Sequence, residues 1–466
     1  MTILRRLTRS ATLTALSAST AAAIAASCLV PTATADPVDR SSLPLQTQLL
    51  GGMWDNVRPL IDRDSLGDDQ DFYTAPEGTD LQSLAPGTVL KERTVPYHVA
   101  GIEIPLTAVQ ILYTTTNARG EIEPNVTSVI APPDGKGDGN VVAYQSAYDS
   151  ANPKDNPSRI IAGNMTLGGI IPTAETTILA PALLAGHPVV LADTEGAGAN
   201  FAAGPVYGRA TLDSLRAAGA AASSPVNDTD HIGFLGYSGG SIASGWAAAL
   251  MPSYAPELTD RTVGVTEGGV LVNPVSNLTY AGDGIIWSGV VGFALTTLAR
   301  TYGIDIDQYL TDYGVTVLQD LSNLSIVEAA ARYPGLHWSD LAKPEYPTPE
   351  SAPEVKKVID EINLGNSGTP QVPMFMGQAT GGFWEGTPNT GSQGQGDGIM
   401  VAGDVRSIAR QYCDDGADIT YHEYQLLSHT MGMVPWIAEA LPWLQGRFDG
   451  AAVTNNCGNI LPGNEL

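Results

Sequence analysis

Short, mostly apolar runs recur along the chain, each bounded by glycine, proline or aspartate. Six of them read as buried strands: Val141–Tyr148, Pro188–Asp193, Ile232–Tyr237, Thr262–Thr266, Val372–Gly377 and Ile419–Gln425. Runs that stay apolar at successive positions, instead of alternating, are what parallel strands covered on both faces require. Between them lie stretches of small residues with helical spacing: Thr176–Ala185, Tyr207–Ala222, Ser241–Leu250 and Ala402–Asp414. Upstream, Ile102–Thr115 and Val126–Pro132 read as antiparallel strands that open the same sheet. Strand alternating with helix predicts an α/β fold, a mostly parallel central sheet flanked by helices.

Residues of about 277–365 break the alternation. They read as helical and loop-rich, with Trp287, Trp338 and Tyr346 expected at the surface. An insertion of this size between two core strands suggests a helical cap or lid over a site. The alternative is a stabilising helical appendage. No internal repeat and no long Gly/Ser linker interrupts residues 36–466, so one large domain with an insertion fits better than two joined domains.

The N-terminus bears on compartment. Arg5, Arg6 and Arg9 precede a charge-free run rich in Ala, Ser and Thr, and Ala33-Thr34-Ala35 offers a small-x-small cleavage site before Asp36. That order predicts a signal peptide over residues 1–35, cleaved near Ala35-Asp36, and a secreted, extracellular product. Cys28 has the wrong upstream context for lipid attachment, with Ala25 where leucine belongs. Without the leader, 20 basic residues stand against 49 acidic ones, a net charge of −29. Such a charge disfavours nucleic acid and anionic surfaces as partners. Cys413 and Cys457 remain, and an even pair in an oxidising compartment suggests a disulfide, with two free buried thiols as the alternative.

Candidate chemistry centres on Gly236-Tyr237-Ser238-Gly239-Gly240. In a chain with 51 glycines a G-x-S-x-G match also arises by chance, so its setting decides. Ser238 falls between the strand Ile232–Tyr237 and the helix Ser241–Leu250, the strand-to-helix turn that an exposed nucleophile needs. There it meets the positive end of the helix dipole, with the Gly239 N–H aimed at an oxyanion. A serine hydroxyl needs a base, and the base an orienting acid. In the chain order Ser, acid, His, only His422 and His429 follow the last strands. His422 lies inside Ile419–Gln425 and reads as structural, whereas His429 lies in the loop after it. For the acid, the loop after Val372–Gly377 offers Glu385, Asp397 and Asp404. Asp397, between Gly396 and Gly398, is favoured. Asp404 reads as a helix N-terminal acid and Glu385 as a surface charge; for Asp397 itself a plain turn aspartate is the alternative.

Taken with Asp71-Phe72-Tyr73-Thr74, Ala85-Pro86-Gly87-Thr88-Val89-Leu90 and Ala143-Tyr144-Gln145 leading to Asp149, these residues point to a family. So do Ala192-Asp193-Thr194-Glu195-Gly196, Leu212-Asp213-Ser214-Leu215-Arg216, Asp404-Val405 and Leu427-Ser428-His429. The chain resembles the secretory lipase family of α/β-hydrolases, the Candida lipase A type, as a bacterial secreted member. The resemblance implies nucleophile Ser238, acid Asp397 and base His429, with Gly239 and Asp149 as the oxyanion hole. One departure is the Gly-rich stretch Thr380–Gly396, which separates Asp397 from its strand by more than the few residues usual in that family.

The expected reaction is acyl-ester cleavage through an acyl-enzyme on Ser238. An ionised Asp149 would oppose a developing oxyanion, so either its backbone N–H donates or burial keeps its carboxyl protonated. The substrate is expected to be a lipid or other ester, with the cap touching a lipid interface transiently. Alternatives are a deacetylase or acyltransferase acting on a small hydroxylated metabolite or glycolipid, and a non-catalytic hydrolase-fold binding protein. No metal and no cofactor are expected. H-E-x-x-H is missing, Gly135–Asn140 lacks P-loop spacing, and Phe201 replaces the third glycine of the dinucleotide-like Glu195–Gly198 loop.

Overall fold

The computed structural model describes residues 41–63 and 69–466. The expected leader, with Cys28 and the Ala35-Asp36 junction, lies outside the described residues.

Among the described residues nine strands form one sheet: β1 (Val89–Val99), β2 (Ile102–Thr116), β3 (Ile122–Ile130), β4 (Asn140–Gln145), β5 (Val189–Ala192), β6 (His231–Tyr237), β7 (Thr262–Gly268), β8 (Met374–Ala379) and β9 (Ile419–Tyr424). Their spatial order is β1-β2-β3-β5-β4-β6-β7-β8-β9. The first three strands pair antiparallel, as does β3 with β5. Every pairing from β5 through β4, β6, β7 and β8 to β9 is parallel. The longer helices, numbered along the chain, are α1 (Leu45–Ile61), α2 (Ile170–Ala185), α3 (Gly204–Ala220), α4 (Gly239–Tyr254), α5 (Pro274–Gly282), α6 (Gly289–Tyr302), α7 (Asp312–Leu321), α8 (Pro353–Ile362), α9 (Ala402–Asp414) and α10 (His429–Phe448).

The continuous apolar runs work as expected. Val141 and Ala143 of β4 pack with α3, α4 and α9, while Val142 and Tyr144 pack with α2 and α10 on the other face. Helices on both faces make the three layers. Cys413 at the end of α9 is disulfide-bonded to Cys457 beyond α10, with Cα atoms 5.7 Å apart.

Between β7 and β8 the chain leaves the sheet and builds α5 to α8. Val290, Phe293, Val317, Leu321, Val355 and Ile359 give this excursion a core of its own, which Phe201, Ile399 and Met400 of the body also enter. Trp338, expected at the surface, is buried there, and Trp287 and Tyr346 are half-buried. The indole N–H of Trp338 donates to the Tyr346 carbonyl, so the polar edge of the ring needs no solvent.

Several element ends differ from the sequence pattern. β4 stops at Gln145, short of Tyr148, because a side chain takes over the backbone: the Ala147 N–H and the Ser146 hydroxyl both donate to Glu175. β1 was not anticipated, since Lys91, Glu92 and Arg93 interrupt its apolar pattern on an outer strand. α4 continues through Pro252, and α10 through Pro435 and Pro442. Those prolines hide the last helix from sequence. As a result His429 is the first residue of α10, not a loop residue as expected.

Candidate active site

Ser238 joins β6 to α4 with φ 56° and ψ −121°, a conformation costing about 1–3 kcal/mol for a side-chain-bearing residue. Neighbours hold it there. Its N–H donates to the Gly268 carbonyl at 2.8 Å, and its own carbonyl accepts from the Ser241 hydroxyl at 2.7 Å. The turn is possible only because the helix start lies against the end of β4. A Cβ at Gly240 would stand 2.1 Å from the Gln145 carbonyl oxygen, and one at Gly239 would stand 2.2 Å from Asp149 Oδ1. Gly239 opens α4, so its N–H has no acceptor within the helix and lies at the positive end of the dipole.

His429 reaches Ser238 from the far edge of the sheet. Its Nε2 lies 2.7 Å from Ser238 Oγ, and its Nδ1 lies 2.8 Å from Asp397 Oδ2. The ring is fixed at every polar point. The His429 N–H donates to the Asp397 carbonyl and its carbonyl accepts from the Tyr237 hydroxyl at 2.6 Å. Burial disfavours the imidazolium, but the Asp397 carboxylate and its hydrogen bond, with Glu385 and Asp149, outweigh that and raise the pKa above its ordinary value.

The long stretch before Asp397 does not carry it away. The loop folds back on itself: Gly382 N–H donates to the Gly396 carbonyl at 2.9 Å, and Asn389 Nδ2 to the Thr380 carbonyl at 2.9 Å. Its two ends therefore meet, as in an Ω-loop, and Asp397 emerges beside the end of β8. Asp397 Oδ1 accepts from the Ile399 and Met400 N–H groups at 3.1 and 2.7 Å, and Oδ2 accepts from Gln378 Nε2 at 2.9 Å.

Two residues beside this chain of contacts were misread or missed. Glu385, expected as a surface charge, is buried. Its Oε2 accepts from the Trp287 indole N–H at 2.6 Å, and its Oε1 from the Thr430 N–H at 3.0 Å and the Thr430 hydroxyl at 2.5 Å. The looped-back fold of 380–396 turns this carboxylate inward. Trp287 in turn presents an edge to the His429 ring, with centroids 5.5 Å apart. Gln378 was missed because the expected strand ended one residue before it; a buried amide in an otherwise apolar strand was the available signal. The other acid and base candidates lie elsewhere. His422 pairs with Glu439 at 2.6 Å and packs edge-on against Phe375, consistent with a structural role. Asp404 is a buried acid in the first turn of α9, bonded to Asn464 and pushed by burial up to about 6.

Asp149 lies against Gly239, the residue after Ser238. It is buried, its Oδ1 has no hydrogen-bond partner, and burial pushes its pKa up to about 8, with His429 opposing and Glu175 reinforcing the shift. Its loop is held by two buried glutamates. Glu175 accepts from Ser146 and Ala147, and Glu195 accepts from the Ser150 N–H and, at 2.8 Å, from the Tyr207 hydroxyl. Burial raises both carboxyls, Glu175 to about 7.

Ser238, Gly239 and Asp149 line a cavity whose wall is otherwise almost wholly apolar. It runs between α4, α5, α6 and α8, lined by residues such as Ile242, Leu278, Val291, Leu295, Val358 and Ile359. Among the described residues only Asp149, Ser238 and Asn277 bring polar side chains to its wall, so the space suits a hydrocarbon chain attached to a polar group at Ser238. Among the described residues, no three His, Cys, Asp or Glu side chains converge in a way that would hold a metal ion.

Comparison with known proteins follows the same line. Residues 163–456 match the family model described as "Secretory lipase". A Mycobacterium tuberculosis protein named "Probable inactive lipase MT1628" is 31% identical over 411 residues, covering 86% of this chain and 85% of the relative. Lipase 2 of Candida albicans is 31% identical over 412 residues, covering 84% and 82%. The closed-state crystal structure of Candida antarctica lipase A superimposes with a TM-score of 0.73 at 24% identity, over 86% of this chain and 90% of that one; it bears on the fold alone.

Proposed function

Because the chain belongs to the secretory lipase family of α/β-hydrolases, and so is an ester hydrolase with lipid or other ester substrates, we propose that it cleaves long-chain acyl esters through an acyl-enzyme on Ser238. The observation that carries this reading is the unbroken contact chain Asp397–His429–Ser238 at the mouth of an apolar cavity. Ser238 Oγ attacks the ester carbonyl as His429 Nε2 takes its proton. Asp397, bonded to Nδ1, fixes the tautomer and stabilises the imidazolium. The oxyanion that forms accepts from the Gly239 N–H and from the neutral carboxyl of Asp149. His429 then returns the proton to the departing alcohol, and water repeats the sequence to free the acid.

The insertion of about 277–365 acts as a cap whose helices wall the acyl chain. Residues 1–35 are a signal peptide; a secretory family and a disulfide both fit an extracellular location. The apolar lining contributed by four helices favours a long acyl group over the acetyl group of the deacetylase reading. The name of the mycobacterial relative keeps a non-catalytic reading in view, and the same kinetics test it. p-Nitrophenyl esters from C2 to C16 should give kcat/KM rising to a maximum at medium or long chains, and Ser238→Ala should remove the activity. A strict acetyl preference would overturn the substrate class, and turnover unchanged in Ser238→Ala would overturn the mechanism.

A further inference from the structure

Of the polar side chains on the cavity wall, the proposed reaction uses Ser238 and Asp149. Asn277 is left over. It stands near the start of α5, on the stripe Pro274, Asn277, Leu278 and Ala281 that this helix turns toward the cavity. Spacings of three and four residues put these positions on one helical face. One amide thus interrupts a face that is otherwise apolar.

The amide is held in a single orientation. Its nitrogen donates to the Ile399 carbonyl at 2.6 Å and to Met400 Sδ at 3.2 Å. A carbonyl only accepts, so the end of the amide facing Ile399 is the nitrogen, and both its hydrogens are used. These bonds brace the turn whose Ile399 and Met400 N–H groups hold Asp397. They give Oδ1 nothing to do. Asn277 is 6% exposed and, among the described residues, its Oδ1 has no hydrogen-bond partner. A buried acceptor left unpaired is destabilising, and a plain hydrocarbon chain beside it has no donor to offer. Water is a poor remedy. An internal water takes two to four polar partners, and this wall offers Asn277 alone once Ser238 and Asp149 engage the reacting ester. A hydroxyl group borne by the chain itself supplies the donor without needing further partners.

We infer that Asn277 Oδ1 accepts a hydrogen bond from a hydroxyl group on the acyl chain, so that the enzyme prefers esters of hydroxylated long-chain acids to esters of plain ones. The inference rests on the reading of this cavity as the acyl site. What Oδ1 selects is a donor, not polarity in general. A ketone at the same carbon sets a second acceptor against Oδ1 and is disfavoured.

The test uses the full-length protein and p-nitrophenyl palmitates that carry one hydroxyl, or one ketone, at successive positions along the chain. For at least one position the hydroxylated ester should exceed plain palmitate in kcat/KM by about five- to tenfold, the worth of one neutral hydrogen bond, and the ketone at that position should fall below plain palmitate. Asn277→Leu, apolar and close in size, should bring the ratio of hydroxylated to plain ester to one or less. Each protein is scored by its own ratio, so a variant slowed by losing the brace on Ile399 still reads out. If Asn277→Leu does not fold, the wild-type ranking of hydroxyl, plain chain and ketone decides. No hydroxyl position surpassing the plain chain would overturn the inference, as would a ketone favoured equally or a preference that survives in Asn277→Leu. Failure on every palmitate, plain or substituted, with p-nitrophenyl butyrate still cleaved, would instead strike the acyl-cavity reading, and this inference with it.

Discussion

The pH dependence of Asp149 is the sharpest consequence of the site. Burial moves its carboxyl from an ordinary 3.8 to about 8, so at pH 7 the neutral form outnumbers the ionised one by about tenfold. If the neutral acid donates to the oxyanion, the active form is lost as pH rises. His429 works in the opposite sense, since it must be unprotonated to accept from Ser238, and its raised pKa removes the active form as pH falls. The product is a narrow bell in kcat/KM, measured on a soluble ester, with its alkaline limb near pH 8 and about a tenfold fall per unit beyond it. Asp149→Asn keeps an N–H donor that does not titrate, so it should retain activity at pH 7 and lose the alkaline limb. Asp149→Ala removes the side-chain donor but keeps the backbone N–H, and should cost about 10²–10³ in kcat. A wild-type plateau that stays flat to pH 10, or full activity in a folded Asp149→Ala variant, would refute the role of the carboxyl.

Three further outcomes follow. Glu385→Gln removes a negative charge beside His429, so the acidic limb of the same profile should move to lower pH; a limb that stays put would show that Glu385 only braces Trp287 and Thr430. Ala294→Phe on α6 fills the cavity, so kcat/KM should fall for long-chain p-nitrophenyl esters and hold for short ones, and an unchanged profile would place the acyl chain elsewhere. Burial raises Asp155, Asp193 and Asp213 to about 6, Glu175 to about 7, and Asp149 and Glu267 to about 8. Each is neutral in the fold at pH values where the unfolded chain is ionised. Their stabilisation is complete below about pH 4 and is lost as pH rises through 6 to 8, so Tm should drop between pH 5 and pH 9, and a rise would contradict the assignment.

How far the sequence carries can be read from individual residues. The parallel strands were legible because burial on both faces leaves unbroken apolar runs such as Ile232–Tyr237, and the elbow because Gly239 and Gly240 are forced by contacts with Asp149 and Gln145. Chain order nominates Ser238, His429 and Asp397, and the fold brings all three within hydrogen-bond reach of one another. The rest depended on long-range closure. Nothing local says that Thr380–Gly396 loops back through Gly382 and Gly396, and so nothing local turns Glu385 inward. Asp149 acquires its raised pKa from surroundings contributed by distant segments, among them Glu175, and the wall of the cavity is assembled from α4, α5, α6 and α8. Pro435 and Pro442 argue locally against a helix that tertiary packing on β6, β7 and β8 nevertheless sustains.

The central claim is that an acyl group passes through Ser238. It is tested most directly by acid-quenching the enzyme during turnover of a p-nitrophenyl ester and mapping the adduct by peptide mass spectrometry. An acyl increment is expected on the peptide containing Ser238, absent in Ser238→Ala and prolonged at pH values below the His429 pKa. An enzyme that turns over with no adduct, or an adduct on another residue that persists in Ser238→Ala, would contradict it.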